Sequence, residues 1–289
     1  MKARLTPTNI DWTDFVWNPM SGCTKLSEGC ENCYAADMAK RLQRIQETTG
    51  KDLGYSDGFA VTLHPERLEA PLNHKKGAKV FVNSMGDLFH EDVPFEFIDR
   101  VFAVMAVCPQ HTFQVLAKRP ERMREYILWQ KEYIKNTESA LTAFSYKGII
   151  QNIWLGVTIE SPKHKDRADD LRNTPAAKRF LSLEPLIEDL GELNLDGIDW
   201  VIVGGETGAN ARPMHPDWVA SIKAQCEAAG VAFFFKQWGE YITLPVGKLV
   251  TGYTYKYFGD GRQAVKIGTK NTGHLIDGKE YREYPEANQ

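Results

Sequence analysis

Cysteine is scarce in this sequence. Five cysteines in 289 residues, an odd number, argue against a disulfide framework and suit a reducing compartment. Long apolar runs are also missing. No stretch nears the roughly 20 apolar residues that span a bilayer, so no membrane contact is expected. Met1 to Asp14 carry no apolar run with a small-residue cleavage site, so a secretory leader is not expected and the cytoplasm is the expected location. A strong charge of one sign is absent too. The net charge of −3 excludes a polycation that engages nucleic acid with its whole surface. Neither internal repeats nor low-complexity tracts occur, which excludes a solenoid. What remains is an ordinary balance of 43% hydrophobic and 25% charged residues, enough for one large α/β domain or two small ones.

Three of the five cysteines share one short window: Cys23, Cys30 and Cys33. Three thiolates with no fourth nearby can hold a metal centre and leave one coordination position open. A redox pair of Cys30 and Cys33 would not need Cys23. A structural zinc site needs a fourth ligand, which His64 or His90 could supply. Cys108 and Cys226 fall within or at the end of predicted helices and read as core thiols. The other candidate is a 4Fe–4S cluster on three protein thiolates, its fourth iron free to take a small molecule. A helix is expected directly after Cys33, with Tyr34, Met38, Leu42 and Ile45 on one face. Its N-terminus would favour a negatively charged cluster.

Short apolar runs alternate with longer amphipathic ones. Strands are expected at 79–84, 112–117, 152–158, 179–183, 199–204 and 231–235, with weaker ones at 15–17 and 60–63. Helices are expected at 95–105, 120–133 and 216–229. Continuously apolar strands alternating with helices mean a parallel sheet covered on both faces. The expected fold is α/β, a full or partial TIM-type (β/α) barrel over residues 1–240. Residues 241–289 are expected to form a hairpin-rich, irregular cap packed on that barrel.

Each strong strand runs straight into residues able to do chemistry. Ser84, Gly86 and Asp87 follow the first. Lys118 and Arg119 follow the second, and Glu160 the third. Glu184 follows the fourth, Gly204, Gly205 and Glu206 close the fifth, and Lys236 follows the last. In a barrel these ends converge on one face, where active sites sit. Two basic groups lie just beyond strand ends: Lys118, Arg119, Arg122 and Arg124, then Lys163, His164, Lys165 and Arg167. A nucleic-acid substrate would explain them; so would solvated helix faces. Trp238, at a strand end, could serve as a stacking platform.

A three-cysteine loop after the first strand of a βα barrel resembles the radical S-adenosylmethionine superfamily. The first cysteine gap here is three residues longer than the usual CxxxCxxC. The chain is also similar to a phage and bacterial family of three-cysteine proteins. That likeness rests on Trp12 to Asp14, Trp17 to Pro19, Gly22-Cys23, Gly29 to Tyr34, Asn83 to His90, Lys118 to Arg122, Leu155 to Glu160, Leu183 to Leu186, Gly204 to Gly208, Ala211 to Met214 and Phe235 to Gly239. The resemblance implies that Cys23, Cys30 and Cys33 ligate a 4Fe–4S cluster whose fourth iron chelates S-adenosylmethionine. It implies reductive cleavage of that cofactor to a 5′-deoxyadenosyl radical, hydrogen abstraction from a substrate, and a flavodoxin- or ferredoxin-type electron donor. Ser84, Gly86 and Asp87 would meet the cofactor's amino group, although they depart from the usual Gly-Gly-Glu. Lys118 or Arg119 would pair its carboxylate, Glu160 its ribose, and Gly204-Gly205 would let the backbone approach. Glu184, Glu206, Arg212 and Lys236 are left for the substrate, with Glu184, Glu206 and Lys236 as catalytic candidates.

Overall fold

The computed structural model describes residues 3–136, 145–146, 149–245, 247–248 and 251–286. Seven strands run parallel and in chain order: β2 (Phe15–Trp17), β3 (Lys79–Val82), β4 (Thr112–Ala117), β5 (Ile153–Thr158), β6 (Lys178–Leu183), β7 (Trp200–Gly204) and β8 (Ala232–Gln237). A short β1 (Thr6–Pro7) pairs antiparallel with β2 at one edge. Helices α1 (Tyr34–Thr49), α2 (Phe95–Ala106), α3 (Pro120–Asn136), α4 (Arg167–Arg172) and α5 (Pro216–Ala229) fill all but one of the connections. The β6–β7 connection contains no helix. The weak strand expected at 60–63 lies outside this sheet: Thr62–Leu63 pairs with Met20–Ser21 instead.

Strand alternation divides the apolar side chains between two cores. Val80, Val82, Leu181, Leu183, Val201 and Val203 pack against the helices. Phe81, Phe180, Trp200, Ile202 and Phe234 point to the other face and gather around Trp12. That inner cluster shows that the sheet curls. Phe81 on β3 and Trp200 on β7 are four strands apart, roughly 19 Å across a flat sheet. Yet the Trp12 ring lies 4.7 Å from Phe81 and 6.2 Å from Trp200. The strand order is linear and its two ends do not pair, so the barrel is partial. Trp12 packs inside the curl. Tyr284 crosses the open seam, meeting Phe234 on β8 edge-to-face at 5.5 Å while Lys79 of β3 sits 3.8 Å over its ring.

Beyond β8 the chain forms a small antiparallel sheet of β9 (Tyr241–Leu244), β10 (Tyr255–Tyr257) and β11 (Gln263–Lys266), with β11 central. Leu249 and Val250, part of the expected hairpin, lie outside the described residues. The tail then returns to the barrel and runs antiparallel to β8: Phe235 N–H donates to Tyr281 O and Glu283 N–H to Phe233 O. Among the described residues no helix is long and apolar enough to cross a membrane.

Candidate functional site

Strand alternation continues past the strand ends and sets the site. Two residues beyond inward Phe81 comes Asn83. Beyond Leu116 comes Lys118, beyond Thr158 Glu160, beyond Ser182 Glu184 and beyond Phe234 Lys236. Period two thus stacks a polar ring above the aromatic floor. A cavity of about 450 Å³ opens there, within the size range of small-molecule sites. Trp12 and Phe81 line its base, and Cys23, Cys30 and Cys33 line its upper wall. Asn83, Lys118, Glu184 and Lys236 also face it, while Glu160 lies fully buried behind Lys118.

The cysteine loop reaches this position through close backbone contact. Gly22 and Gly86 form a parallel bridge that ties the loop to the end of β3. A Cβ on Gly86 would sit 2.7 Å from Gly22 O, so no larger residue fits. Gly29 likewise rests on Glu160, whose Cγ a Cβ would meet at 2.5 Å.

Side chains from the strand ends then clamp the loop. Arg119 Nη2 donates to Thr24 Oγ1 at 2.7 Å, and its Nη1 reaches Asp87 Oδ2 at 3.3 Å and Cys23 Sγ at 3.4 Å. Ser27 Oγ donates to Glu160 Oε1 at 2.7 Å. Arg167 Nη1 donates to Glu160 Oε2 at 2.9 Å and to Thr158 O at 2.8 Å. Lys118 pairs with Glu160, and its Nζ lies 3.6 Å from Cys30 Sγ. Arg212 grips both Glu206 oxygens, at 2.8 Å from Nε and 2.5 Å from Nη2, and donates to Glu28 O at 2.8 Å. Lys163 and His164 hold the Glu28 carboxylate at 2.7 and 3.0 Å.

These contacts set the titration of the loop. The Lys163 hydrogen bond holds the Glu28 carboxyl at about 2. Burial pushes the Glu160 carboxyl up, but Lys118 and Arg167 outweigh it and hold the group below the ordinary glutamate value. Burial also pushes Cys30 up, but Lys118 together with hydrogen bonds at Leu26 and Ser27 outweighs it, so this thiol lies below its usual value. Burial and Asp87 raise Cys23 despite Arg119.

The strand-end residues singled out in the sequence divide into two groups. In the first, the polar atoms are used by the protein. Asp87 accepts from Phe89 N–H at 3.0 Å, from Lys118 N–H at 3.1 Å and from Arg119. Ser84 O accepts from the Tyr34 hydroxyl at 2.5 Å. Glu160 and Glu206 are clamped as described. In the second group, Glu184 Oε1 and Lys236 Nζ pair at 2.9 Å in the cavity wall, with Ser182 Oγ 3.4 Å from Glu184 Oε2. Gly204 makes room for Glu184, since a Cβ there would lie 2.5 Å from its Oε1. Gly205 packs against Trp238 O in the same way.

The two basic groups have partners inside the protein. Besides the contacts of Lys118, Arg119, Lys163, His164 and Arg167, Arg122 donates to His90 O and Val93 O. Arg124 pairs with Asp170, and Lys165 donates to Leu190 O. Trp238 is half-buried, meets Phe235 edge-on at 4.7 Å and donates to Leu275 O.

Sequence reasoning missed Thr24, Ser27 and Asn83, and read Arg167 only as part of a basic run. Asn83 adopts a φ of 64°, a conformation asparagine tolerates better than most residues. Its buried amide has no partner, which is rare in folded proteins. An asparagine opening a turn after a buried strand was the available signal.

The three thiols are not gathered around a single point. Zinc–sulfur bonds of about 2.3 Å bring thiolates within about 4 Å of each other. Among the described residues, one trio of His, Cys, Asp or Glu ligand atoms lies mutually within 4.8 Å: His215, Asp217 and Asp260. The three cysteine sulfurs are spread wider. The two histidines considered as a fourth ligand are engaged elsewhere, His64 with Ser21 Oγ at 2.9 Å and His90 with Thr24 Oγ1 at 2.9 Å.

The chain belongs to the DUF5131 family. That family model, described as a protein of unknown function, matches residues 7–285. No curated protein matches the sequence. Among solved structures, the chain is similar to a spore photoproduct lyase double mutant with bound AdoMet and dinucleoside spore photoproduct. The TM-score is 0.45 at 9% identity, covering 91% of this chain and 71% of the lyase. A spore photoproduct lyase complexed with dinucleoside spore photoproduct gives a TM-score of 0.44 at 8% identity, covering 93% and 72%.

Proposed function

We propose that this DUF5131 protein is a radical S-adenosylmethionine enzyme in which Cys23, Cys30 and Cys33 hold a 4Fe–4S cluster. The observation that carries this reading is the placement of three thiols on one clamped loop, lining one cavity at the ends of parallel strands. When bound, the cluster and S-adenosylmethionine supply one-electron cleavage to a 5′-deoxyadenosyl radical. The electron donor would be of the flavodoxin or ferredoxin type.

The protein's own groups bind, orient and exclude water. Trp12 and Phe81 give the cavity an apolar floor. On the loop side Ser84 and Gly86 line the wall, and Gly205 lines it on another side. Glu184 and Lys236 face the cavity as an ion pair, able to hold or pass a proton beside a reacting group. The cavity volume admits a small molecule or one protruding group of a larger one. With the basic groups occupied internally, the case for a nucleic-acid substrate must rest on that protruding group.

The test is anaerobic reconstitution with iron and sulfide, then dithionite reduction with S-adenosylmethionine, assayed for 5′-deoxyadenosine. Production that vanishes in Cys30→Ala is the expected result. A wild-type chain that holds a single zinc and takes up no cluster would overturn the proposal.

A further inference from the structure

The end of β4 presents two cations in a row to the cysteine loop. Lys118 follows the inward face of the strand and Arg119 the other. They therefore approach the loop from different directions: Lys118 Nζ reaches Cys30 Sγ at 3.6 Å, and Arg119 Nη1 reaches Cys23 Sγ at 3.4 Å. Both distances suit N–H donation to sulfur. Cys33 is different: it sits at the N-cap of α1, where its side chain makes no capping hydrogen bond.

Neither cation is free to swing away. The ion pair with Glu160 holds Lys118, and Arg167 and Ser27 hold Glu160. Arg119 is held by Asp87 and Thr24. Lys118 and Arg119 are only 22% and 7% exposed in their side chains, so their charges are weakly screened. The resemblance assigns one or other of these side chains to a cofactor carboxylate, yet each holds a donor within reach of a cysteine sulfur.

We infer that Lys118 and Arg119 are positioning residues that donate to the Cys30 and Cys23 sulfurs and set the reduction potential of the cluster these cysteines hold. The inference rests on the cluster reading above. Donors and positive charge beside cluster thiolates stabilise the reduced, more negative state, which raises the potential. Glu160 opposes them with a buried negative charge. The pair of cations therefore has a signed effect that a purely structural role lacks.

The experiment is redox titration of the reconstituted protein, followed by electron paramagnetic resonance of the reduced cluster, with iron content measured in parallel. Lys118→Met and Arg119→Gln should each move the potential negative, and the double variant should move it further than either alone. Glu160→Gln should move it positive. Should Lys118→Met fail to fold, Lys118→Gln keeps a neutral donor and isolates the charge. Variants that take up about as much iron as wild type, yet leave the potential unmoved or shift it the same way for Lys118 and Glu160, overturn the inference alone. A wild-type protein that takes up no cluster overturns the parent reading and this inference together.

Discussion

The two sides of the cavity use the same residue types for different work. On the loop side, Asp87, Lys118, Arg119, Glu160 and Glu206 have their polar atoms committed to protein groups, mostly in or against the cysteine loop. On the far side, Glu184 and Lys236 bind chiefly each other and stay turned to the cavity. In the sequence the two sets look alike, each a charged residue just past an apolar strand. What separates them is the partner each finds across the barrel. A charge bound into the cysteine loop becomes part of the scaffold, and an ion pair left facing the cavity remains available for chemistry.

Breaking the scaffold side should have the largest effect. Glu206 is 3% exposed and meets Arg212 through both oxygens. Arg212→Ala leaves that carboxylate buried and unpaired, at a cost of about 3 kcal/mol. It also releases the loop at Glu28. We expect a lower Tm in thermal denaturation and a large loss of iron uptake on reconstitution. Arg212→Lys should recover only part of either, because lysine lacks the two-pronged fork.

The cavity side should respond the other way round. Glu184→Gln and Lys236→Met remove one ion pair in a partly open wall, worth about 1 kcal/mol of stability. Iron uptake should be unchanged. Turnover, once a substrate is in hand, should fall about 100-fold or more if the pair moves a proton. Equal losses of stability on both sides of the cavity would erase the distinction drawn between them.

Much of this was legible in the sequence, and the exceptions share one cause. The strands, the helices and the cysteine loop follow from local periodicity and spacing, as does the ring of residues at the strand ends. Which of those residues are committed depends on contacts far apart in the chain. Arg212 meets Glu28 across 184 positions, and Ser27 meets Glu160 across 133. A barrel was expected, but how far the sheet curls was equally hidden. It is marked by Trp12 inside the barrel and by Tyr284 at the seam, whose hydroxyl donates to Asp11 O across 273 positions. Thr62–Leu63 is too short for alternation to tell a barrel strand from a side pairing.

A smaller effect concerns acid stability. Glu160 has a folded-state pKa below its unfolded value, so its ionised form stabilises the fold. That contribution is complete above the unfolded value of about 4.3. It is lost as pH falls from there through the folded pKa. Wild type should therefore lose stability steeply in that acidic window, as read from urea midpoints across pH. Glu160→Gln should be less stable at neutral pH and flatter below it. An unchanged slope would mean that Lys118 and Arg167 do not hold the carboxylate as the geometry indicates.

The smallest predicted difference is within the metal-free loop itself. Against burial, Lys118 and hydrogen bonds at Leu26 and Ser27 draw the Cys30 thiol below its ordinary value, whereas burial and Asp87 push Cys23 above it. Only the thiolate reacts with iodoacetamide. The pH midpoint of alkylation should thus be lower for Cys30 than for Cys23, when each site is followed by peptide mass spectrometry. Midpoints rather than rates are the right comparison, because Cys30 is the more buried of the two. Lys118→Met should raise the Cys30 midpoint and leave Cys23 in place, since Arg119 and Asp87 govern Cys23. A midpoint that moves for both cysteines would mean that Lys118 acts by shaping the whole loop and not by charge at one sulfur.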